Sequence, residues 1–408
     1  MVDLNNVEEF QTIRDLFPIL NKCVYLNSNS LGAVPSQVSE DLLSFYQIWA
    51  EKGVSAWGET WWELPRKIGL KLSSLLGDGD DEIAMIPNAS IAHWVALSTQ
   101  FGKRIGHRKK IVMSDLDFPS SLYAVSEIAR FMDWEIDLVP SHGQPGIDVE
   151  SFISKIDEKT LAVATSHVYY KSGYIQNISE ISRKAQRVGA VTLIDGYHAP
   201  GTISVNLADL GVDFYVGGCL KWLCGGPGNA FLYVGKNLKS KVEPRLTGWF
   251  AHDKPFNFSS HMEFTEGSYK FMSGTPSIPS LYASSAGLDI ISRIGISQIR
   301  KKSQKQTRLI MNKTRERGFC LYSPEDDDKR GGSVSLSIPC GYQVKQSLEE
   351  RGIIIDYRQG DRQETEIIRV GPHFYTKDEE IDILFETLDE IYSTEAYKKF
   401  PKEIKTVT

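Results

Sequence analysis

Short apolar runs alternate with segments of helical spacing along the chain from about residue 80 to about residue 235. The runs are rich in β-branched and aromatic residues, which favours buried strands. They read EIAMI, KIVMS, IDLVP, LAVAT, VTLID, DFYVG and AFLYV. This alternation predicts an α/β fold with a mostly parallel seven-stranded sheet and helices on both faces. Polar residues that follow the strands should then meet in one cleft at the carboxyl ends of the strands.

The pattern changes after about residue 300, where shorter strands and helices follow each other in a different order. Strands are predicted at 333–338, 353–357 and 367–370, and helices at 343–351 and 378–392. This order indicates a small C-terminal α+β domain. The predicted parts are an N-terminal arm (1–35) that contributes to the small domain and the site, a large domain (36–300) and the small domain (301–408). The segment 277–298 is predicted to be a long helix broken at Gly287 and Gly295.

Composition narrows the classes of partner. The chain has 408 residues, and its net charge of −6 predicts neither nucleic acid nor a membrane surface as a partner. No run of about twenty apolar residues predicts a membrane span, and the N-terminal sequence lacks an apolar signal core. The five cysteines lack paired spacings, which favours reduced thiols and a cytoplasmic location. The eight histidines show no metal-binding spacing, so no metal site is predicted.

Lys221 lies between two predicted strands, in a turn rich in glycine. A lysine that is buried there has a lowered pKa and becomes a nucleophilic amine able to form a Schiff base. The alternative is an ordinary loop lysine of a hairpin. Lys221 therefore needs a chemical partner before it indicates a reaction.

Asp195 supplies this partner, because it ends the strand-like run VTLID and precedes Lys221 by 26 positions. A carboxylate at a strand end followed by a lysine loop is typical of a pyridoxal phosphate (PLP) site. The aspartate keeps the pyridine nitrogen protonated, so that the ring draws electrons from the substrate, while the lysine holds the aldehyde. Asp195 alone could equally be a turn or helix-capping residue.

Four motifs together carry a resemblance to a known family. They are DGYH at 195–198, CLKWLCGGPG at 219–228, GWF at 248–250 and SGTP at 273–276. The chain resembles fold-type-I PLP enzymes of the class-V aminotransferase superfamily, in its kynureninase-like and cysteine desulfurase-like branches. The resemblance runs from about Tyr25 into the C-terminal domain. It implies the PLP-dependent transferase fold type I, with PLP as cofactor.

The resemblance also implies which residues hold PLP. Asn88, Ala89 and Ser90 match a turn that binds the phosphate, and a helix that begins there offers free N–H groups. Ordinary helix capping by Asn88 or Ser90 is the alternative. Phe118 matches the aromatic residue that stacks on the PLP ring; otherwise it would be a core residue.

A second set of matches concerns the substrate. Asn29 and Ser30 match a turn beside the substrate, although a turn before the next helix explains them as well. His198 and Tyr170 are placed near the ring hydroxyl or the substrate. Arg369 matches the arginine that binds the substrate α-carboxylate through two parallel hydrogen bonds. Without the family, Arg369 would be interpreted as a surface arginine at a strand end.

Trp249 and Thr275 match residues that bind the PLP phosphate from the partner subunit. The resemblance thus implies a homodimer with composite active sites.

Two positions depart from the kynureninase pattern. Leu220 replaces the tyrosine that precedes the Schiff-base lysine in kynureninases, and leucine cannot donate a hydrogen bond. Ser121 stands where many kynureninases carry an acidic residue, which predicts a different phosphate environment. No cysteine follows Cys340, which argues against the persulfide relay of cysteine desulfurases.

The predicted function is therefore that of a PLP-dependent enzyme that acts on an L-α-amino acid. A kynureninase-like lyase or hydrolase that removes a Cβ substituent is favoured. An aminotransferase or epimerase is the alternative, followed by a PLP-fold binding subunit without catalysis. The sequence leaves open which amino acid is the substrate.

Overall fold

The computed structural model of the chain describes residues 2–77, 83–102, 108–360 and 366–403. Within these residues the strands are β1 Val24–Tyr25, β2 Ile83–Ile86, β3 Lys110–Ser114, β4 Glu135–Val139, β5 Thr160–Ser166, β6 Val191–Asp195, β7 Phe214–Gly218, β8 Ala230–Val234, β9 Cys320–Leu321, β10 Val334–Ser337, β11 Ile353–Ile354, β12 Asp356–Gln359 and β13 Glu366–Val370. The α-helices are α1 Val7–Arg14, α2 Gln37–Lys52, α3 Leu64–Leu75, α4 Ala89–Ser98, α5 Pro119–Met132, α6 Val149–Ser154, α7 Ile178–Val188, α8 Leu207–Leu210, α9 Lys236–Lys239, α10 Ile278–Ile294, α11 Ile296–Glu316, α12 Gly341–Glu350 and α13 Asp378–Ser393.

The large sheet has seven strands in the described residues, in the order β2-β8-β7-β6-β5-β3-β4. Strand β8 is antiparallel to both β2 and β7, and the remaining neighbours pair in parallel. The predicted mostly parallel α/β sheet is confirmed, with each strand at one of the seven apolar runs. Glu82, the first residue of the EIAMI run, lies outside the described residues.

Helices cover both faces of this sheet, which explains why its inner strands read as continuous apolar runs. Side chains of α4 and α5 pack on one face, and side chains of α3, α7 and α10 pack on the other. Strand β5 is buried along its whole length. In the described part of the chain, no helix combines the length and the apolar composition needed to cross a bilayer.

The small C-terminal sheet has the antiparallel order β12-β13-β10-β9. Helices α11, α12 and α13 cover it and share one apolar core with its strands. Strand β1, from the N-terminal arm, pairs in parallel with β11, which brings the arm to the small domain. The boundary predicted at residue 300 falls within α11, and the division into three parts stays a prediction.

The predicted break at Gly287 is wrong, because α10 continues through this residue and ends before Gly295, whose φ is +89°. A Cβ atom at position 287 would lie 2.2 Å from the carbonyl oxygen of Leu223 and 2.7 Å from that of Cys224. Gly287 therefore lets the backbone that follows Lys221 approach the helix. The reason for this glycine is close packing and not a bend.

Candidate active site

A cleft of about 780 Å³ lies at the carboxyl ends of β5 and β6 and at the start of α4 and α5. This is where ligands bind in α/β sheets of this type. Its lining residues are Asn88, Ala89, Ser90, Phe118, Ser120, Ser121, Ser166, Val168, Tyr170, Asp195, Tyr197, His198, Leu220 and Lys221.

Lys221 and His198 form the reactive pair of the cleft. The Nζ atom of Lys221 lies 2.6 Å from Nε2 of His198. Burial, followed by the positive charge of Arg369, lowers the pKa of Lys221 to about 7. Burial and the charge of Lys221 hold the pKa of His198 well below its ordinary value. His198 is therefore neutral, and its Nε2 atom shares a hydrogen bond with the lysine whose direction is set by the tautomer of the imidazole.

Asp195 ends β6 and is almost completely buried. Its Oδ1 atom accepts the backbone N–H of Tyr197 at 2.9 Å, and its Oδ2 atom accepts the hydroxyl of Ser121 at 2.7 Å. Ser121 thus contacts Asp195, whereas the sequence comparison with kynureninases suggested the phosphate environment. The short strand-end turn DGYH explains how Asp195 and His198 come to face the same cleft.

The N-terminus of α4 forms a second side of the cleft. Asn88 caps this helix, because its Oδ1 atom accepts the N–H of Ile91 at 3.0 Å. Ala89 and Ser90 open the first turn and line the cleft. The first N–H groups of a helix have no acceptor within the helix, and they suit an anion. Capping and anion binding are therefore compatible roles for this turn.

Phe118 and Tyr170 form an aromatic wall. Their rings meet edge to face, with centroids 5.1 Å apart. Phe118 is 38% exposed, so the interpretation as a core residue is wrong. The Nζ atom of Lys221 lies 5.6 Å from the centroid of the Phe118 ring. A flat ligand joined to Lys221 can thus lie beside this ring.

Arg369, on β13, lies behind Tyr170 and is almost completely buried, so it is not a surface arginine. Its Nε atom donates to Oδ2 of Asp356 at 2.6 Å, and its Nη2 atom donates to the same oxygen. The opposite edge of the guanidinium meets the carbonyl of Tyr170 through Nη1 and the hydroxyl of Ser30 through Nη2, the latter at 3.3 Å. Burial lowers the pKa of Arg369 to about 10, so the group stays charged at neutral pH.

Asp356 is a site residue that the sequence did not indicate. It is the cross-strand partner of Arg369 in the β12–β13 pair, and it also accepts a hydrogen bond from Arg358 at 2.5 Å. Asp356 can be identified only from the register of these two short strands, which the sequence does not show. Tyr197 is a second residue of the site that the sequence analysis did not name. Its position inside the DGYH motif could have indicated that it lines the cleft.

Asn29 is completely buried, and neither atom of its side-chain amide has a hydrogen-bond partner among the described residues. It packs against Gly371, where a Cβ atom would lie 2.0 Å from Oδ1 of Asn29. A buried amide without partners is costly, which points to a missing ligand. Asn29 follows Ser28 on the segment that also brings Ser30 to Arg369.

Trp249 and Thr275 do not line the cleft of their own chain. The indole of Trp249 donates to the carbonyl of Pro255 at 2.8 Å, and Thr275 is exposed. Their predicted contact with a phosphate in a partner's site stays a prediction.

The residues of the cleft fit PLP. The cleft offers an amine with a pKa of about 7, a helix N-terminus, an aromatic wall and a buried carboxylate. These groups match an aldehyde, a phosphate, a ring and a ring nitrogen, respectively.

Comparisons with known proteins agree with this geometry. The family model described as aminotransferase class-V matches residues 24–384. A kynureninase of Burkholderia mallei is 30% identical over 97% of this chain and 95% of its own length. A kynureninase of Pseudomonas fluorescens is 30% identical over 95% and 94%, respectively.

Solved structures show the same fold. A cysteine desulfurase of Thermococcus onnurineus superposes with a TM-score of 0.81 at 22% identity, over 94% of this chain and 98% of the other. The cystine C-S lyase C-DES superposes with a TM-score of 0.82 at 21% identity, over 91% and 98%. The match of the family model over most of the chain, together with these relatives, shows that the chain belongs to the aminotransferase class-V family and is a PLP-dependent enzyme of fold type I.

Proposed function

We propose that this enzyme removes the Cβ substituent of an L-α-amino acid by hydrolysis, and that L-kynurenine is the first substrate to test. The observation that carries the proposal is the Lys221–His198 pair beside the buried carboxylate of Asp195. The kynureninases that align with nearly the whole chain support the choice of reaction. In this hydrolysis, a hydrogen from water replaces the substituent on Cβ and L-alanine is released. The hydroxyl of the water goes to the displaced acyl carbon, which becomes a carboxylic acid.

Each side of the cleft has a role in this proposal. Lys221 would hold the aldehyde of PLP, Asp195 would accept from the ring nitrogen and His198 would lie on the side of the ring hydroxyl. Phe118 covers a ring face, and the first turn of α4, which Asn88 caps and Ala89 and Ser90 open, binds the phosphate. When bound, PLP draws electrons from the substrate Cα, because Asp195 keeps the ring nitrogen protonated.

Lys221 is the proposed base for the proton on Cα. Its pKa of about 7 leaves much of the amine neutral near pH 7, which an acid–base group at Cα requires. The hydrogen bond to His198 at 2.6 Å fixes the direction of Nζ. The Phe118 ring of the aromatic wall lies beside this amine, with its centroid 5.6 Å from Nζ.

The substrate carboxylate is proposed to bind at the Nη1–Nη2 edge of Arg369, with Tyr170 beside it. This edge now meets the carbonyl of Tyr170 and the hydroxyl of Ser30, two neutral acceptors that a carboxylate can replace. The buried amide of Asn29 supplies a further donor near this point. Asp356 keeps the other edge of the guanidinium occupied, so the arginine presents one edge only.

A homodimer with composite sites is part of the proposal. Aromatic rings form a continuous chain from α2 to an exposed surface around Phe258, passing through Trp61, Trp57 and Trp249. The side chain of Phe258 is 77% exposed and that of Trp49 on α2 is 59% exposed. Exposed aromatic surface of this extent is typical of a protein–protein interface. A second subunit on this surface would bring Trp249 and Thr275 to the partner's cleft.

We also propose a cytoplasmic location. All five cysteines are free, and Cys219 and Cys224 are buried close to the active site. A reducing compartment keeps such thiols unpaired.

Leu220 favours a second candidate function. It lines the cleft directly before Lys221 and brings no hydroxyl or imidazole there. Transamination and epimerisation need proton transfer at Cα by Lys221 but no cleavage beyond Cβ. A class-V aminotransferase or epimerase is therefore the alternative.

The test is product analysis with the PLP-loaded protein. With L-kynurenine, we expect L-alanine to form in step with the loss of kynurenine. Lys221→Ala should abolish this reaction, and Lys305→Ala, which changes a surface lysine, should not. A 2-oxo acid would instead identify transamination, and a D-amino acid would identify epimerisation. If the PLP-loaded protein converts none of the L-amino acids, it is a binding subunit without catalysis, and the proposal is overturned.

A further inference from the structure

Ser121 contacts Asp195 in the cleft. It lies in the first turn of α5, where its N–H donates to the carbonyl of Phe118 at 2.9 Å. Pro119 begins the helix directly after Phe118, which fixes the backbone of this turn. Ser121 is buried and lines the cleft.

The hydroxyl of Ser121 is the donor in its bond to Asp195, because an ionised carboxylate has only acceptors. The distance of 2.7 Å between Oγ and Oδ2 is that of a strong hydrogen bond to a charged oxygen. Among the described residues, two groups donate hydrogen bonds to this carboxylate. The Ser121 hydroxyl donates to Oδ2, and the N–H of Tyr197 donates to Oδ1. Each oxygen accepts one bond and keeps a lone pair for another donor.

Both donors are neutral, in contrast to the buried pair Arg14–Glu380, where a cation neutralises the carboxylate. Asp117, another buried carboxyl group, accepts the N–H groups of Ser114 and Ser166. The two hydrogen bonds therefore fix the orientation of the Asp195 carboxylate without a cation bonded to it. A carboxylate in this state suits a protonated ring nitrogen.

We propose that Ser121 is a positioning residue that holds the Asp195 carboxylate in place for the ring nitrogen of PLP. This inference rests on the role given to Asp195 in the proposed function. In place of the acidic residue that kynureninases carry, this chain would use a neutral hydroxyl.

The test compares the binding of PLP with that of a deaza analogue, in which a carbon replaces the ring nitrogen. Equilibrium binding to the full-length protein, freed of PLP, gives both dissociation constants without any catalytic assay. Ser121→Ala should weaken the binding of PLP by about tenfold and leave that of the deaza analogue unchanged. Ser121→Thr keeps the hydroxyl and should bind PLP as the wild type does.

Ser141→Ala is the matched control. The Ser141 hydroxyl contacts the carboxylate of Asp115 at 3.1 Å, a bond of the same kind at the ends of the neighbouring strands but outside the cleft. This variant should bind both ligands like the wild type.

Asp195→Asn separates failure of this inference from failure of the proposed function. If Asp195→Asn loses the preference for PLP over the deaza analogue but Ser121→Ala keeps it, only the role of Ser121 is overturned. If Asp195→Asn keeps the preference as well, Asp195 does not contact the ring nitrogen and both proposals fail. If Ser121→Ala weakens both ligands equally, the serine stabilises the cleft in general, and the positioning role is overturned.

Discussion

At the scale of single residues, Lys221 is the proposed reactive group of the cleft. Its amine is surrounded by the rings of Phe118 and Tyr197 and by a neutral imidazole. Burial is the largest cause of its lowered pKa, and the charge of Arg369 adds to it. Because the unfolded chain binds more protons than the native one between pH 7 and pH 10.5, this group makes the stability of the PLP-free protein rise with pH over that range.

The lowered pKa of Lys221 predicts that its amine is acetylated at a lower pH than an ordinary lysine. In the PLP-free protein, the rate of acetylation at Lys221 should level off above about pH 7, because only the neutral amine reacts. Lys305 is the internal control, since its ion pair with Asp378 raises its pKa above 10.5. Its labelling should still increase at pH 10. Peptide mass spectrometry across pH measures both, and equal profiles for the two lysines would contradict the prediction.

The structure brings Asp195, His198 and Lys221 into one cleft, as their place after strands led us to expect. These residues could be found because each follows a long apolar run that identifies a strand end. Asp356 could not be found in this way. Its contact with Arg369 joins two short strands, and a shift of register by one residue would have turned it away.

At the scale of elements, the strand pair β12–β13 presents three charged side chains to the large domain. Asp356 pairs with Arg369 across the strands, and Arg358 lies two residues further along, on the same face. Two guanidinium groups thus share one buried carboxylate. Among these three side chains the positive charges exceed the negative by one, and a single substrate carboxylate would balance this excess.

This arrangement predicts different effects for the two arginines. Arg369→Lys should retain PLP but weaken the binding of amino acids by about 1.5–3 kcal/mol, because lysine loses the two-point contact with a carboxylate. Amines without a carboxylate should bind as before. Arg358→Lys, the matched control, should change amino-acid binding little, since Asp356 remains paired with Arg369. Titration of PLP absorbance with amino acids and amines measures this, and equal losses in both variants would place the carboxylate elsewhere.

Most strands of the large sheet were predictable because they are buried on both faces, which leaves a continuous apolar run, whereas the edge strand β4 is largely exposed. Helix α11 runs from Ile296 to Glu316, well beyond residue 298, where the predicted helical segment 277–298 ends. The region 353–357, predicted as one strand, contains parts of two strands, β11 and β12, which belong to different sheets. Local pattern cannot reveal such a change of partner.

At the scale of the whole molecule, the proposed dimer predicts complementation between inactive variants. Lys221→Ala removes the amine of one site, and Trp249→Ala removes a contact to the partner's site. Unfolded together and refolded as a mixture, the two variants should recover about a quarter of wild-type activity, because half of the dimers are mixed and each has one intact site. Thr275→Ala, at an exposed position, replaces Trp249→Ala if the aromatic cluster does not tolerate alanine.

The measurement is activity of the mixture relative to each variant alone, together with the mass in solution. Activity that does not rise above the sum of the separate variants would show that each chain completes its own site. A monomer in solution would contradict the composite site directly.

The glycine inside α10 has a consequence for protein engineering. Replacing a glycine within a helix by alanine is a standard route to higher thermal stability, worth about 1 kcal/mol in an exposed helix. At Gly287 the added methyl group would meet the carbonyl oxygens of Leu223 and Cys224. Leu223 and Cys224 follow Lys221 closely in the chain. A displacement of their carbonyl groups is therefore expected to move the amine of Lys221 away from His198. A design protocol that ranks substitutions by helix propensity would thus select a variant that is damaged at its active site.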